Sequence, residues 1–230
     1  MSSVEIDLKG IEYAFAQGGN RLCFRHPNEA SKLIKILLPE RSPAKKRSDK
    51  KGLKRFKPLS RFDDNLQEWR TYRLIDNYIG EAAYQCIPNC YGWVETNLGK
   101  GLVSELILDS DDKVAVTLKQ FIWQHGVTQQ LESVLAEFEK NWACLGMPSR
   151  HLLLHNIVVQ CGATGPNKLV VIDGLGWPDM LPLAYWFKGL AKRKSEKRCA
   201  GLRIKIKELE EKKSTGDGYG YHGWLDEKLR

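Results

Sequence analysis

The chain has 230 residues, 42% of them apolar, with seven Trp, eight Tyr and seven Phe, which is a globular composition outside the range of disordered chains. Its formal charge is +8, and nine Lys/Arg (Arg41, Lys45, Lys46, Arg47, Lys50, Lys51, Lys54, Arg55, Lys57) stand between positions 41 and 57 against one acid, Asp49. That local excess equals the charge of the whole chain, so the remainder is near neutral, a pattern that does not indicate general nucleic-acid binding.

Residues 4–16 mix alternating and apolar positions, Gly18 and Gly19 supply a turn, and residues 22–27 resume an extended apolar stretch. This predicts a strand, a glycine turn and a second strand. A third strand is expected over Lys32–Leu38, ended by Pro39. The basic segment 41–57 has no apolar periodicity and contains Pro, Ser and Gly, so it reads as a mobile, solvated loop. Asp64 with Gln67 three residues on has capping-box spacing, and it opens a helix that carries Glu68.

Residues 90–96 and 102–108, joined by a Gly-containing turn, read as a hairpin. The polar break at 108–113 divides a β-rich lobe, 1–107, from a helical one, 108–230. Leu131, Val134, Leu135, Phe138, Trp142 and Leu145 recur at 3.6-residue spacing and predict a helix over Thr128–Leu145 ending at Gly146. Residues 157–159 and 169–172 are short buried strands of one hairpin. Residues 181–191 read as helical, a charged helix follows with Leu202, Ile206 and Leu209 on one face, and the Gly/Tyr segment 214–223 reads as loose.

Six cysteines form no CxxC pair and read as reduced core residues, and no structural metal is expected. No window of about eighteen apolar residues occurs, and the first ten residues lack a signal-like apolar run, so the expectation is a cytoplasmic protein without a transmembrane segment.

The order of these parts resembles the protein-kinase-like superfamily: a β-rich lobe with a Gly turn and a strand lysine, a glutamate helix, a long helix, an Asn before a strand and an Asp after the next. Within it, residues 149–198 (SRHLLLHNIVVQ through RKSEKR), with residues 18–37 in support, resemble the bacterial YrbL family, described as a protein of the PhoP regulatory network. The resemblance implies an α+β, protein-kinase-like bilobal fold that binds ATP and Mg2+. It implies that Gly18 and Gly19 let backbone approach phosphate oxygens, that Lys35 contacts phosphates with Glu68 as its helix partner, and that Ser104, Glu105 and Leu106 offer hinge backbone groups to adenine. Asn156 and Asp173 are implied as magnesium ligands.

Two places depart from the pattern. The catalytic-loop aspartate of kinases is replaced by His151, and Asp-Phe-Gly is altered to Asp173-Gly174-Leu175. His151, or His155 as a second candidate, is a titratable substitute for the base, although a structural role for His151 is the plainer reading. Three functions follow: a pseudokinase or weak atypical kinase acting as a regulatory protein in a PhoP-type signalling network, an active small-molecule or lipopolysaccharide-type kinase, and a binder of acidic partners or nucleic acid through the basic loop 41–57. Whether the chain is an enzyme is left open by the missing aspartate.

Overall fold

In a computed structural model, residues 5–177 and 183–230 are described, Leu53 and Lys54 by backbone alone. The fold is mixed α+β, with antiparallel sheets and several helices. Two compact units are present, one built from residues up to Arg73 and from Asn89–Leu106, the other from Leu74–Pro88 and from Ile107 onward.

The first unit holds strands β1 (Ala16–Gln17), β2 (Arg21–Arg25) and β3 (Lys32–Leu37), helix α1 (Pro43–Ser48), the start of helix α2 (Asp64–Tyr78), and strands β4 (Cys90–Thr96) and β5 (Gly99–Glu105). The strands form one antiparallel sheet in the order β1-β2-β3-β5-β4. Alternation along β3 sends Ile34 and Ile36 into a core with Leu8, Leu22, Phe24, Leu38 and Val103, while Lys35 between them points to the opposite face. The sheet closes tightly over that core. A methyl group at Gly101 would lie 2.4 Å from Ile34 Cγ2, so β5 needs a residue without Cβ to pass over the branched side chain.

Three expectations are corrected here. Residues 5–17 contain only an isolated bridge from Ile6 to Thr96 and the two-residue β1, because the left-handed φ of 63° at Lys9 and a 3-10 turn at Ile11–Tyr13 interrupt the extended run. The basic segment is not a plain loop. Ser42 caps α1 by accepting from the Lys45 N–H, Pro43 occupies the first turn, and a second short turn covers Gly52–Phe56. Helix α2 is capped by Asp63, whose Oδ1 accepts from Leu66 N–H at 2.9 Å, one position before the residue that the spacing suggested.

The second unit carries strand β6 (Val116–Thr117), helices α3 (Leu118–His125) and α4 (Gln129–Leu145), strands β7 (Ile157–Gly162) and β8 (Gly165–Val171), and helices α5 (Leu183–Trp186) and α6 (Lys188–Ser214). Helix α4 has the expected limits: Thr128 caps it through the Leu131 N–H, and Gly146 ends it in the left-handed conformation at φ 63°. Leu131, Leu135, Phe138 and Trp142 are buried along one face. Helix α6 buries Ala191, Ser195, Cys199, Leu202, Ile206 and Leu209 at helical spacing. Arg203 then fastens the two helices, meeting Glu139 in a fork at 2.6 and 2.8 Å and Glu132 at 2.7 Å.

The segment after α6 is anchored rather than loose. Thr117 Oγ1 donates to the Gly223 carbonyl at 2.6 Å, and Gln120 holds Leu225 from both sides, donating to its carbonyl and accepting from its N–H. The Tyr219 ring meets Trp123 and Trp224 edge-on. Long-range aromatic contacts order a stretch whose glycines favour freedom. Of the expected helical run 181–191, residues 181 and 182 lie outside the described residues.

Among the cysteines, Cys86 and Cys199 are buried and Cys144 is exposed, so the core reading holds for only part of the set. No helix among the described residues is long and apolar enough to cross a membrane.

Candidate functional site

Two groups of predicted residues are each assembled within one unit. The first centres on Glu68. Its first turns face the sheet side away from the aliphatic core, where Lys35 Nζ donates to Glu68 Oε1 at 2.7 Å. Arg21 from β2 reaches the other carboxylate oxygen. Lys35 is 5% exposed and the Glu68 side chain 8%, so this is a buried ion cluster. Asn65 knits it together, donating to the Lys35 carbonyl at 2.8 Å and lying 3.4 Å from Arg21 Nη1. Of the two lysines on β3, Lys32 pairs instead with Glu29 and lies over the Tyr91 ring.

A buried carboxylate flanked by two cations is costly to desolvate and needs this full set of partners. Arg21 and Asn65 were not singled out from the sequence. Arg21 is 47 residues from Glu68, and only the antiparallel pairing of β2 with β3, which sets Cys23 opposite Lys35, brings it near.

Gly18 and Gly19 form the β1–β2 turn, closed by the Gly18 N–H donating to the Arg21 carbonyl at 2.9 Å. A methyl group at Gly19 would meet nothing within 4 Å, and neither glycine has a positive φ. The local fold therefore does not require glycine at these two positions. At the expected hinge, the Glu105 N–H is engaged by the Asn89 carbonyl and the Leu106 N–H by the Ser31 carbonyl. Glu105 Oε2 accepts twice from Asn89, and the Ser104 hydroxyl is buried without a hydrogen-bond partner among the described residues.

The second group lies in the other unit, at the ends of the β7–β8 hairpin. Asn156 ends a 3-10 turn just before β7, and its carbonyl accepts from the Ile172 N–H at 2.8 Å. Asp173 follows, exposed, with Oδ1 accepting from the Gly174 N–H at 2.7 Å. At Gly174, φ is +80°, and a methyl group there would lie 3.1 Å from Asn156 Nδ2 and 3.3 Å from the His151 carbonyl. The loops are zipped further by Arg150 N–H to the Gly174 carbonyl and by a bridge between Ser149 and Leu175. Glycine at 174 thus has a geometric reason: its positive φ strains any other residue, and its neighbours would have to give by a few tenths of an ångström to admit a side chain.

His151 is exposed. His155 is half-buried against His222, with ring centroids 5.6 Å apart, and burial first, then His222 and Lys119, lower its pKa, opposed by Asp173. It is therefore held neutral near pH 7. The segment after α6 makes this contact, since a methyl group at Gly223 would touch His155 Cβ at 2.6 Å.

Asn156 and Asp173 offer an amide oxygen and a carboxylate, hard donors of the kind that bind Mg2+. Among the described residues no group of three or more His, Cys, Asp or Glu could hold a metal by itself. Two oxygen donors fit a cation that keeps its waters and shares phosphate oxygens, and they do not fit an all-protein cage.

The family described as PhoP regulatory network protein YrbL matches residues 6–207, which include both residue groups. The chain belongs to the YrbL family. It is similar to the proteins described as uncharacterized protein YrbL from Escherichia coli (strain K12) and from Shigella flexneri, each 28% identical over 183 residues, covering 78% of this chain and 78% of the relative. The YrbL match ends before the anchored segment that packs on His155.

Proposed function

We propose that this YrbL-family chain has a protein-kinase-like bilobal fold and is a nucleotide- and magnesium-binding regulatory protein of a PhoP-type network, a pseudokinase or weak atypical kinase. The observation that carries the reading is the buried ion pair between strand Lys35 and helix Glu68. A buried lysine held by a carboxylate is costly as a purely structural device, and it is the arrangement that presents an oriented ammonium group to phosphate oxygens. The turn at Gly18 and Gly19 supports it, because glycine there answers no demand of the local fold and leaves no side chain between the turn backbone and an approaching phosphate.

In this reading Lys35 neutralises phosphate charge while Glu68 and Arg21 fix its direction. Asn156 and Asp173 hold the cation, whose contribution when bound is to neutralise charge on the phosphates. His151 occupies the position of the missing base. Proton removal from an acceptor is then weak, which favours binding over rapid transfer.

Thermal unfolding with ATP and Mg2+ tests this. At a hundred times the dissociation constant the ligand should add about 2.7 kcal/mol of stability, and Asp173→Asn should lose that gain relative to its own unliganded midpoint. An equal gain in the variant, or none in the wild type, overturns the cation assignment. Phosphate transfer abolished by Asp173→Asn and reduced by His151→Ala would move the protein to the active-kinase alternative.

A further inference from the structure

The segment between Arg41 and Phe62 is unlike the rest of the first unit. It carries nine Lys/Arg and one acid to Lys57, and it is folded into the short turns of α1 and Gly52–Phe56 instead of spreading as a coil. Lys46 pairs with Asp64 at the start of α2 and fastens the segment. Arg41, Lys45, Lys50, Lys51, Arg55 and Lys57 are left exposed. Among them stand two apolar side chains facing water: Phe56 is 83% exposed and Leu59 41%.

We propose that this segment is a peripheral docking surface for a membrane bearing anionic lipids, with the Lys/Arg groups at the headgroups and the Phe56 and Leu59 side chains at the acyl boundary. Positive charge concentrated next to exposed aromatic and aliphatic groups is the composition of interfacial binding elements. The charge complementarity is local, because the rest of the chain has no net charge to contribute.

Two features favour lipid over nucleic acid. Lysines outnumber arginines six to three, and lysine acts as a hydrated point charge suited to a diffuse anionic surface, whereas arginine forks suit discrete phosphates. Phe56 is also the single aromatic residue between Arg41 and Arg61, short of the repeated stacking platform that single strands use.

The proposal is independent of nucleotide binding. It is tested by flotation of the full chain with vesicles of phosphatidylcholine alone and with about 30% phosphatidylglycerol, at low and physiological salt. The expected result is binding to the anionic vesicles only, weakened by salt. At roughly 1 kcal/mol per basic residue near the surface, Lys50→Ser with Lys51→Ser should weaken it about 30-fold. Phe56→Ser should weaken it by about tenfold through lost apolar burial. All three positions are exposed, and Asp173→Asn should bind vesicles as the wild type does. Equal binding to neutral vesicles, insensitivity to the Lys50/Lys51 pair, or capture of a short oligonucleotide at physiological salt without vesicle binding would each overturn the proposal.

Discussion

Removing the carboxylate at Glu68 should destabilise the protein far more than loss of one surface ion pair. Glu68→Ala leaves Lys35 and Arg21 facing each other on the buried side of the sheet without the group between them. Breaking a buried pair by deleting one partner costs about 3–5 kcal/mol, because the remaining charge is desolvated and uncompensated. An exposed pair contributes about 1 kcal/mol or less. Against a total stability of about 5–15 kcal/mol for a typical domain, the loss is a large fraction.

The control separates charge from packing. Glu68→Gln keeps the shape and an oxygen for Arg21, so it should still cost stability while Lys35 is charged. Adding Lys35→Met should return part of the loss, with a coupling of about 1 kcal/mol or more. Urea unfolding of the four proteins in the cycle measures this, with the midpoint moving and the slope unchanged. A cost under about 1 kcal/mol for Glu68→Ala, or zero coupling with Lys35, would refute the view that the cluster is a desolvated unit.

Other outcomes are expected. His155 has a folded pKa below its ordinary value of 6.5, so its contribution is present above that value and lost as pH falls through the folded pKa; His155→Gln should flatten the decline in stability between pH 7 and the acid side, measured by melting in a pH series. Burial raises the Cys86 and Cys161 thiols to about 11 and Cys199 to about 12, so alkylation at neutral pH followed by peptide mapping should mark exposed Cys144 first and Cys86 and Cys199 only on unfolding. Arg203→Ala removes a fork to Glu139 and a contact to Glu132 and should cost about 1–2 kcal/mol in chemical unfolding, whereas Arg203→Lys should restore only part of it.

The readable parts of the chain were those where local signals and packing agree. Helix α4 shows in the sequence because its apolar stripe keeps one period between a Thr cap and a left-handed glycine. Strand β3 shows because Ile34 and Ile36 alternate with Lys35 and Pro39 stops the run. Helix α1 was hidden because none of its residues is buried, so no apolar period marks it, although Ser42 and Pro43 are a start signal. Helix α3 did carry a signal, Thr117 as cap and Leu118, Phe121 and Ile122 as its buried side, but only two turns of it.

Of the candidate sites, Lys35 with Glu68 and Asn156 beside Gly174 could be anticipated from motif order. Arg21, Asn65 and the packing of Gly223 on His155 could not, since each depends on contacts tens of residues apart that no local pattern records. The same limit explains the tail, where Gly-rich composition suggested freedom and Gln120, Thr117 and Trp123 supply order from about a hundred residues away.

The claim on which the functional account rests is that this chain binds ATP through a cation held by Asp173. Calorimetric titration of ATP into the full chain, with and without Mg2+, measures it directly. Saturable one-to-one binding that needs Mg2+ and disappears in Asp173→Asn is the predicted result. Absence of heat in the wild type, or the same isotherm without the cation, would contradict the account.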